Sequence, residues 1–178
     1  LSDFDPQNIS NIVYVISKYR FIKLIKPLSM QVIEMLVMEI IERSRNYRNG
    51  LGDFNSQHLS NIVYSIVKLK SFKEIRLIML EVVKIIAKEI VDRSNNDRNS
   101  LDRFNSQEIA NLVWSFSKLC LMNNKLFPFV KNALKVFIEQ ILTRKFVGFN
   151  SQEISNICWA FANLNNKNKE LYLLVATE

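Results

Sequence analysis

Asparagine recurs in one register along this 178-residue sequence, at positions 11, 61, 111 and 156. Positions 8, 11, 15 and 18 are spaced by three, four and three residues, so they share one face of a helix. The equivalent faces read Asn8, Asn11, Val15, Lys18; His58, Asn61, Ser65, Lys68; Glu108, Asn111, Ser115, Lys118; and Glu153, Asn156, Ala160, Asn163. Side by side, these faces would form a polar strip with lysine at one edge.

A strip of amides and lysines suits single-stranded RNA, because lysine contacts phosphates while Asn and Ser hydrogen-bond base edges. The residues that vary between repeats, in the registers of Asn8 and Val15, are candidates for discriminating between bases. A repeated Asn can equally satisfy backbone groups between neighbouring helices. The same structural role suits the Gln residues of the first turn: Gln7, Gln57, Gln107 and Gln152.

Large aromatic residues form a second register, three positions after each asparagine: Tyr14, Tyr64, Trp114 and Trp159. They could stack on bases, but their fixed helical position favours a place in the core between repeats. The net charge of +7 and the pI near 9.5 favour an anionic partner. The arginine-rich segments, with Arg43, Arg45, Arg48, Arg93, Arg98 and Arg103, are a candidate basic edge or solvated connectors.

These registers belong to a segment that occurs four times in the sequence. It reads FNSQEISNICWAFANL from Phe149, and similar segments begin at Phe4, Phe54 and Phe104. The starts lie 50, 50 and 45 residues apart, which is typical of a repeat array whose units bury their apolar faces by stacking. The apolar residues of the first copy, Ile9, Ile12, Val13 and Ile16, have helical spacing. We call this element helix A.

Start signals support the helical assignment. Asn105 with Glu108 and Asn150 with Glu153 have capping-box spacing, while Asp5 with Pro6 supplies a cap and an N1 proline. We expect A helices at about 6–20, 56–70, 106–120 and 151–165. A second helix, helix B, should follow in each repeat. We expect the B helices at about 27–43 in the first repeat, from a Ser71–Glu74 capping box to about Arg93 in the second, at about 128–144 in the third and at about 169–178 in the fourth.

Only three Gly and three Pro are present, which favours an all-α fold. We predict an α-α superhelix (solenoid) of about four stacked helix-pair repeats, forming one helical-repeat domain over 1–178. The repeats would span about 4–53, 54–103, 104–148 and 149–178, the last one truncated. The sequence looks like an excerpt of a longer protein.

No apolar run reaches the ~18 residues of a membrane span, so we expect no membrane partner. Cys120 and Cys158 are expected to be reduced, and no His/Cys cluster suggests a metal. His58 takes the place of Asn8, Glu108 and Glu153, which indicates a capping or solvent position. With no phosphate loop and no HExxH, we expect no cofactor and no enzymatic activity.

The repeated segment, seen most fully in Phe104 to Leu119, resembles the octotricopeptide and heptatricopeptide helix-pair repeats. The resemblance covers helix A of all four units, although the units here are longer than those of that family. It implies sequence-selective RNA binding in mitochondria or plastids, supporting RNA stability, processing, translation or ribosome assembly, with ribosomal RNA or ribosomal proteins as partners. The alternative is a protein-protein interaction scaffold, including a host-directed protein secreted by an intracellular bacterium.

Overall fold

The computed structural model describes residues 4–19, 26–46, 50–69, 72–165 and 168–177. Across these residues it contains eight α-helices, two short 3-10 helices and no β-strand, which confirms the all-α prediction for this part of the chain. The α-helices are α1 (Pro6–Tyr19), α2 (Lys26–Asn46), α3 (Ser56–Lys68), α4 (Arg76–Asn96), α5 (Ser106–Met122), α6 (Phe127–Arg144), α7 (Ser151–Asn163) and α8 (Lys169–Val175). Helices α1, α3, α5 and α7 are the predicted A helices.

The A helices begin where their caps predict. The side chains of Asn105 and Asn150 each accept a hydrogen bond from the backbone N–H three residues on, and the glutamates there return it, which completes both capping boxes. Asp5 Oδ1 accepts from the N–H of Asn8 at 2.7 Å, so α1 has the predicted cap ahead of Pro6.

The B helices differ from their predicted bounds. Helix α2 begins one residue early and runs three residues further, to Asn46. Helix α4 begins at Arg76 rather than at a Ser71–Glu74 box, and Ser71 lies outside the described residues. Three predicted helix ends also lie outside the described residues: Arg20, Lys70 and Glu178. The same holds for the side chains of Arg48 and Arg98.

The arginine-rich segment after α4 is not a plain loop, because a 3-10 helix spans Arg98–Arg103. Its entry is held by Arg93, whose carbonyl accepts the N–H of Asp97 at 3.0 Å and the hydroxyl of Ser100 at 2.8 Å. Both bonds are accepted by the same carbonyl, one of those near the end of α4 that need a partner.

The chain divides into two compact units, Leu1–Glu89 and Ile90–Glu178, and the prediction of one domain over 1–178 stays a prediction. In the first unit α1 packs against α3 and α2. Ile9, Ile33, Leu36 and Leu59 are at most 1% exposed and belong to its apolar core. Burial of such side chains, at roughly 1.5–3 kcal/mol each, stabilises the helix pairs.

In the second unit α5 packs against α7 and α6, and α8 packs against α6 and α7. Phe104 and Phe137, both fully buried, meet edge to face at 5.7 Å between ring centroids. The hydroxyl of Ser117 on α5 donates to the carbonyl of Ala160 on α7 at 3.1 Å. Two neighbouring A helices therefore meet through small residues within this unit.

An arginine near the end of a B helix holds the start of the preceding A helix in each unit. Arg43 Nη2 donates to the carbonyl of Phe4 at 2.6 Å and its Nε to Glu39 at 2.7 Å. Arg144 donates to the carbonyls of Phe104 at 2.7 Å and Leu101 at 3.0 Å. Arg43, whose side chain is only 13% exposed, therefore has a structural role and contributes neither to the candidate basic edge nor to a solvated connector.

The exit from repeat 3 is short because α6 ends in a left-handed turn. Lys145, Phe146 and Gly148 all have positive φ, and Phe146 is buried against Phe149 at 5.5 Å between ring centroids. Burying the aromatic ring holds a backbone conformation that residues other than glycine rarely adopt. The segment 145–150 between α6 and α7 is three residues shorter than the segment 97–105 between α4 and α5. The helix pair of repeat 3, at 106–144, is two residues shorter than that of repeat 2, at 56–96, which completes the 45-residue spacing.

Candidate nucleic-acid interface

The predicted polar face is only partly on the surface. Its exposed or half-buried members are Asn8, Asn11, Lys18, His58, Asn61, Lys68, Asn111, Lys118, Asn156 and Asn163. They lie on α1, α3, α5 and α7, as the helical spacing predicts. Whether they bind RNA stays a prediction.

Four predicted site residues are buried instead. Ser65 and Ser115 are 0% exposed, while Glu108 and Glu153 are 8% exposed and complete capping boxes with 2.9 Å hydrogen bonds to the N-cap N–H groups. The register of Ser65 and Ser115 is that of Ala160, whose carbonyl accepts the hydroxyl of Ser117 across the α5–α7 contact. The exposed strip is therefore narrower than the spacing suggested, since these four side chains lie beneath it.

The surface of each A helix is formed by a different set of four registers: Gln, Asn, aromatic and Lys. They are spaced by four, three and four residues and thus lie along one line of the helix surface. We call each line an outer ridge; the ridges are Gln7, Asn11, Tyr14, Lys18; Gln57, Asn61, Tyr64, Lys68; Gln107, Asn111, Trp114, Lys118; and Gln152, Asn156, Trp159, Asn163. All sixteen residues are exposed or half-buried.

The aromatic residues are the main correction to the sequence analysis. We expected them in the core, yet none of the four is buried, and lysines lie over their rings. Lys18 Nζ lies 4.6 Å from the ring centroid of Tyr14, and Lys68 Nζ lies 4.8 Å from that of Tyr64. The signal available in the sequence was the four-residue spacing from each aromatic to a lysine, which places the two on adjacent turns.

In the second unit one lysine serves two ridges. Lys118 Nζ lies 5.7 Å from the centroid of Trp114 on its own helix and 4.0 Å from that of Trp159 on α7. Two indole rings and an ammonium group are thus brought together from neighbouring A helices. Such a cluster offers flat apolar faces and positive charge within a few ångströms.

The ammonium group of Lys18 is held in its charged form. A side-chain hydrogen bond with Tyr14 raises the pKa of Lys18 above its usual 10.5, with smaller contributions from Tyr19 and Tyr64. Burial lowers the pKa by less than Tyr14 raises it, so the net shift is upward. Lys18 is therefore a fixed positive charge at neutral pH.

The four asparagines of the Asn11 register are not used to tie backbone together. Asn156 Oδ1 accepts a hydrogen bond from Gln152 Nε2 at 3.1 Å, within the same ridge. The side-chain amides of Asn11, Asn61 and Asn111 make no hydrogen bond to another described residue. These amides therefore keep both donors and an acceptor for a ligand.

His58 occupies the capping position that the sequence indicated. Its Nδ1 accepts from the N–H of Asn55 at 3.2 Å, and its own N–H donates to Asn55 Oδ1 at 2.9 Å. Burial lowers the pKa of His58 below its usual 6.5, while the charge of Asp5 opposes the shift. The box requires an unprotonated Nδ1, so the neutral imidazole is the form that caps α3.

Elsewhere in the described ranges, no cluster of three or more His, Cys, Asp or Glu side chains could hold a metal ion. Both cysteines are free; burial raises the pKa of the Cys120 thiol to about 11, and Cys158 is half-buried. None of the helices described is both long enough and apolar enough to cross a membrane.

One family model, described as a protein of unknown function (DUF1601), matches residues 79–113 and 144–157. Both matches run from a B helix through the connecting segment into the first half of an A helix, α5 or α7. They cover 35 and 14 of the 178 residues. No curated protein and no solved structure matches the chain.

Proposed function

We propose that the chain binds single-stranded RNA through its outer ridges and acts as a binding module rather than an enzyme. The observation that carries the proposal is the lysine held over an aromatic ring on three of the four A helices. Beside each pair stands an asparagine amide that is exposed or half-buried. Aromatic faces, ammonium groups and amides are the three groups that single-stranded recognition needs.

Binding would exchange the partners of the lysine. A base that stacks on Trp159 has to displace Lys118 Nζ from the ring face, 4.0 Å away. The displaced ammonium group remains within reach of the phosphates that flank the stacked base. The cation–π contact, roughly 0.5–1 kcal/mol at an exposed site, is then replaced by a stack of about 1–3 kcal/mol and a phosphate contact.

The ridges differ in ways that would give them different preferences. Unit 1 offers tyrosine at the aromatic register and unit 2 offers tryptophan, whose larger ring stacks more strongly. On α7 the lysine register is occupied by Asn163. The side-chain Nδ2 of Asn163 donates to the Trp159 carbonyl at 2.7 Å. We assign the amides of the Asn11 register to base edges and the lysines to phosphates.

The proposal extends to the arrangement of the repeats and to their setting. The 50-residue and 45-residue spacings support an α-α superhelix in which the four ridges form one track. The resemblance to octotricopeptide repeats supports an organellar setting, with roles in RNA stability, processing, translation or ribosome assembly. These two extensions can fail without affecting the ridge chemistry.

Salt titration tests the RNA proposal. Affinity of the whole chain for a labelled 20-nucleotide single-stranded RNA of mixed sequence is measured by anisotropy across a range of salt concentrations. Each phosphate contact contributes about 0.7 to the log–log slope for a single strand. Replacing Lys18, Lys68 and Lys118 with Gln should therefore reduce the slope by about 2.

A matched control removes the same charge elsewhere. Lys88, Lys125 and Lys131 are exposed and lie outside the ridges, so their replacement with Gln should change the slope much less. An equal effect of both triple variants would show that only net charge matters. If the chain has no salt-sensitive affinity for RNA, the proposal fails and a protein-interaction scaffold becomes the better account.

A further inference from the structure

The contact between α5 and α7 positions two tryptophan rings. The hydroxyl of Ser117 on α5 donates to the carbonyl of Ala160 on α7 at 3.1 Å, and both residues are 0% exposed. Trp114 lies three residues before Ser117 on α5, and Trp159 directly precedes Ala160 on α7. Both indole rings are therefore attached to a buried, hydrogen-bonded contact between two helices.

Both rings lie against one ammonium group. Lys118 Nζ is 4.0 Å from the ring centroid of Trp159 and 5.7 Å from that of Trp114, and both distances are within the ~6 Å of a cation–π contact. Among the residues that the structure describes, no carboxylate lies within ion-pair distance of Lys118. The two rings therefore hold the positive charge without the help of a negatively charged side chain.

The first unit offers a comparison. There Lys18 Nζ lies 4.6 Å from the ring centroid of Tyr14, and Lys68 Nζ lies 4.8 Å from that of Tyr64, so each lysine lies over the tyrosine of its own helix. Tryptophan attracts cations more strongly than tyrosine does. Of the ridge aromatics, the tryptophan pair is therefore the better place for a positively charged ligand.

A ligand of the tryptophan pair has to replace the ammonium group. A neutral base gains stacking but gives up the attraction between a positive charge and the rings, whereas a flat, positively charged base has both. Asn111 and Asn156, three residues before the two tryptophans, place side-chain amides on the same ridges. These amides can hydrogen-bond the edge of a base, but a quaternary alkylammonium ion offers them no partner.

We infer that Trp114 and Trp159 bind a positively charged, N-methylated purine base of RNA, such as 7-methylguanine or 1-methyladenine, and that Lys118 occupies the site in its absence. Binding of such a base rests on the proposed function and defines which base the second unit prefers. Methylation of a ring nitrogen gives the base its positive charge and leaves its flat faces available for stacking. The displaced ammonium group of Lys118 then contacts a phosphate beside the bound base.

Titration with nucleosides tests the inference, because a nucleoside has no phosphate and reports on the base alone. Quenching of Trp114 and Trp159, the two tryptophans of the sequence, measures binding at the site itself. In slightly acidic buffer, where both methylated bases are cationic, 7-methylguanosine and 1-methyladenosine should bind roughly tenfold more tightly than guanosine and adenosine. Lys118→Gln removes the competing ammonium group and should tighten the binding of both methylated nucleosides by about threefold.

Two further variants show whether the tryptophan pair is responsible. Trp159→Leu should abolish the preference for methylated nucleosides, with Trp114 still reporting binding. Tyr64→Leu makes the same kind of change in the same register of the first unit and should leave the preference intact. Helical circular dichroism should be unchanged in all three variants. The inference is overturned if neither methylated nucleoside is preferred, or if the preference survives Trp159→Leu. Choline that binds as tightly as the methylated nucleosides would also overturn it, in favour of an alkylammonium site.

RNA titrations separate this inference from the proposed function. If the unmethylated 20-nucleotide RNA binds with a salt-dependent affinity but no methylated nucleoside is preferred, only the inference fails. If methylated nucleosides are preferred but no RNA binds, the proposed function fails and the ligand is a free nucleoside. The same RNA with 7-methylguanosine at an internal position or as a 5′ cap identifies the source of the base. Tighter binding of either RNA supports the inference, and no gain with either overturns it.

Discussion

Replacing Trp159 with Leu tests whether the ridge aromatics stack on bases. The chain has two tryptophans, Trp114 and Trp159, and both lie on outer ridges of the second unit, so intrinsic fluorescence reports on the proposed site itself. Leucine keeps an apolar side chain at a half-buried position but removes the aromatic face. Folding should therefore be affected less than binding.

The expected effect follows from the contacts at the ring. Loss of one base stack costs about 1–3 kcal/mol, but the variant no longer has to break the 4.0 Å contact with Lys118, worth roughly 0.5–1 kcal/mol. At the midpoints of these ranges the net loss is about 1.25 kcal/mol, or roughly eightfold in Kd. Because no phosphate contact is removed, the log–log salt slope should be unchanged, unlike that of the lysine variants.

The assay combines RNA titration with fluorescence and anisotropy. RNA should quench both tryptophans of the unmodified chain, and the remaining Trp114 should still be quenched in Trp159→Leu. Tyr172→Leu is the matched control, since this aromatic residue is 39% exposed on α8, outside the ridges, and should leave Kd unchanged. Stacking at the ridge is refuted if Trp159→Leu binds as tightly as the unmodified protein, or if it loses no more affinity than the control.

Two further predictions concern stability. Arg144→Ala removes two charge-assisted hydrogen bonds, including the 2.7 Å bond to the Phe104 carbonyl. The free energy of unfolding, measured in urea, should therefore fall by about 2–4 kcal/mol. Lys135→Ala is the control: it removes an exposed ion pair and should lower the free energy of unfolding by less than about 0.5 kcal/mol. The pKa of His58 in the folded state lies below its usual 6.5. The contribution of the neutral imidazole to the free energy of unfolding is therefore complete above pH 6.5 and is lost as the pH falls through the lower folded-state pKa. His58→Gln should keep a cap on Asn55 and remove this part of the acid sensitivity, so its urea midpoint should fall less between pH 7 and 5 than that of the unmodified protein. Equal falls in the two proteins would contradict the titration of His58 in the capping box.

The starts of the A helices could be predicted because the groups that determine them are local. Asn105 and Asn150 cap the N–H groups three residues away, and Asp5 does the same for α1, so nothing beyond one turn of chain is needed. The start of α4 could not be predicted in this way. A Ser71–Glu74 spacing compatible with a capping box does not start the helix there, and α4 begins at Arg76.

The surface of the candidate site was only half predictable. Helical spacing placed Asn11, Asn61, Asn111 and Lys118 on one face, and the structure leaves them exposed or half-buried. Spacing alone could not tell which neighbouring register is covered by the next helix. It therefore placed Ser65 on the surface.

The sequence by itself determined the repeat, the all-α class and the first turn of each A helix, because periodicity and capping depend on residues a few positions apart. Tertiary structure decided which side of each helix is buried, since that depends on the direction from which another helix approaches. That direction puts Ser117 against Ala160 and leaves Trp159 half-buried beneath the ammonium group of Lys118. An aromatic residue with helical spacing fits a core and a surface equally well, and only the packing of α5 against α7 distinguishes the two.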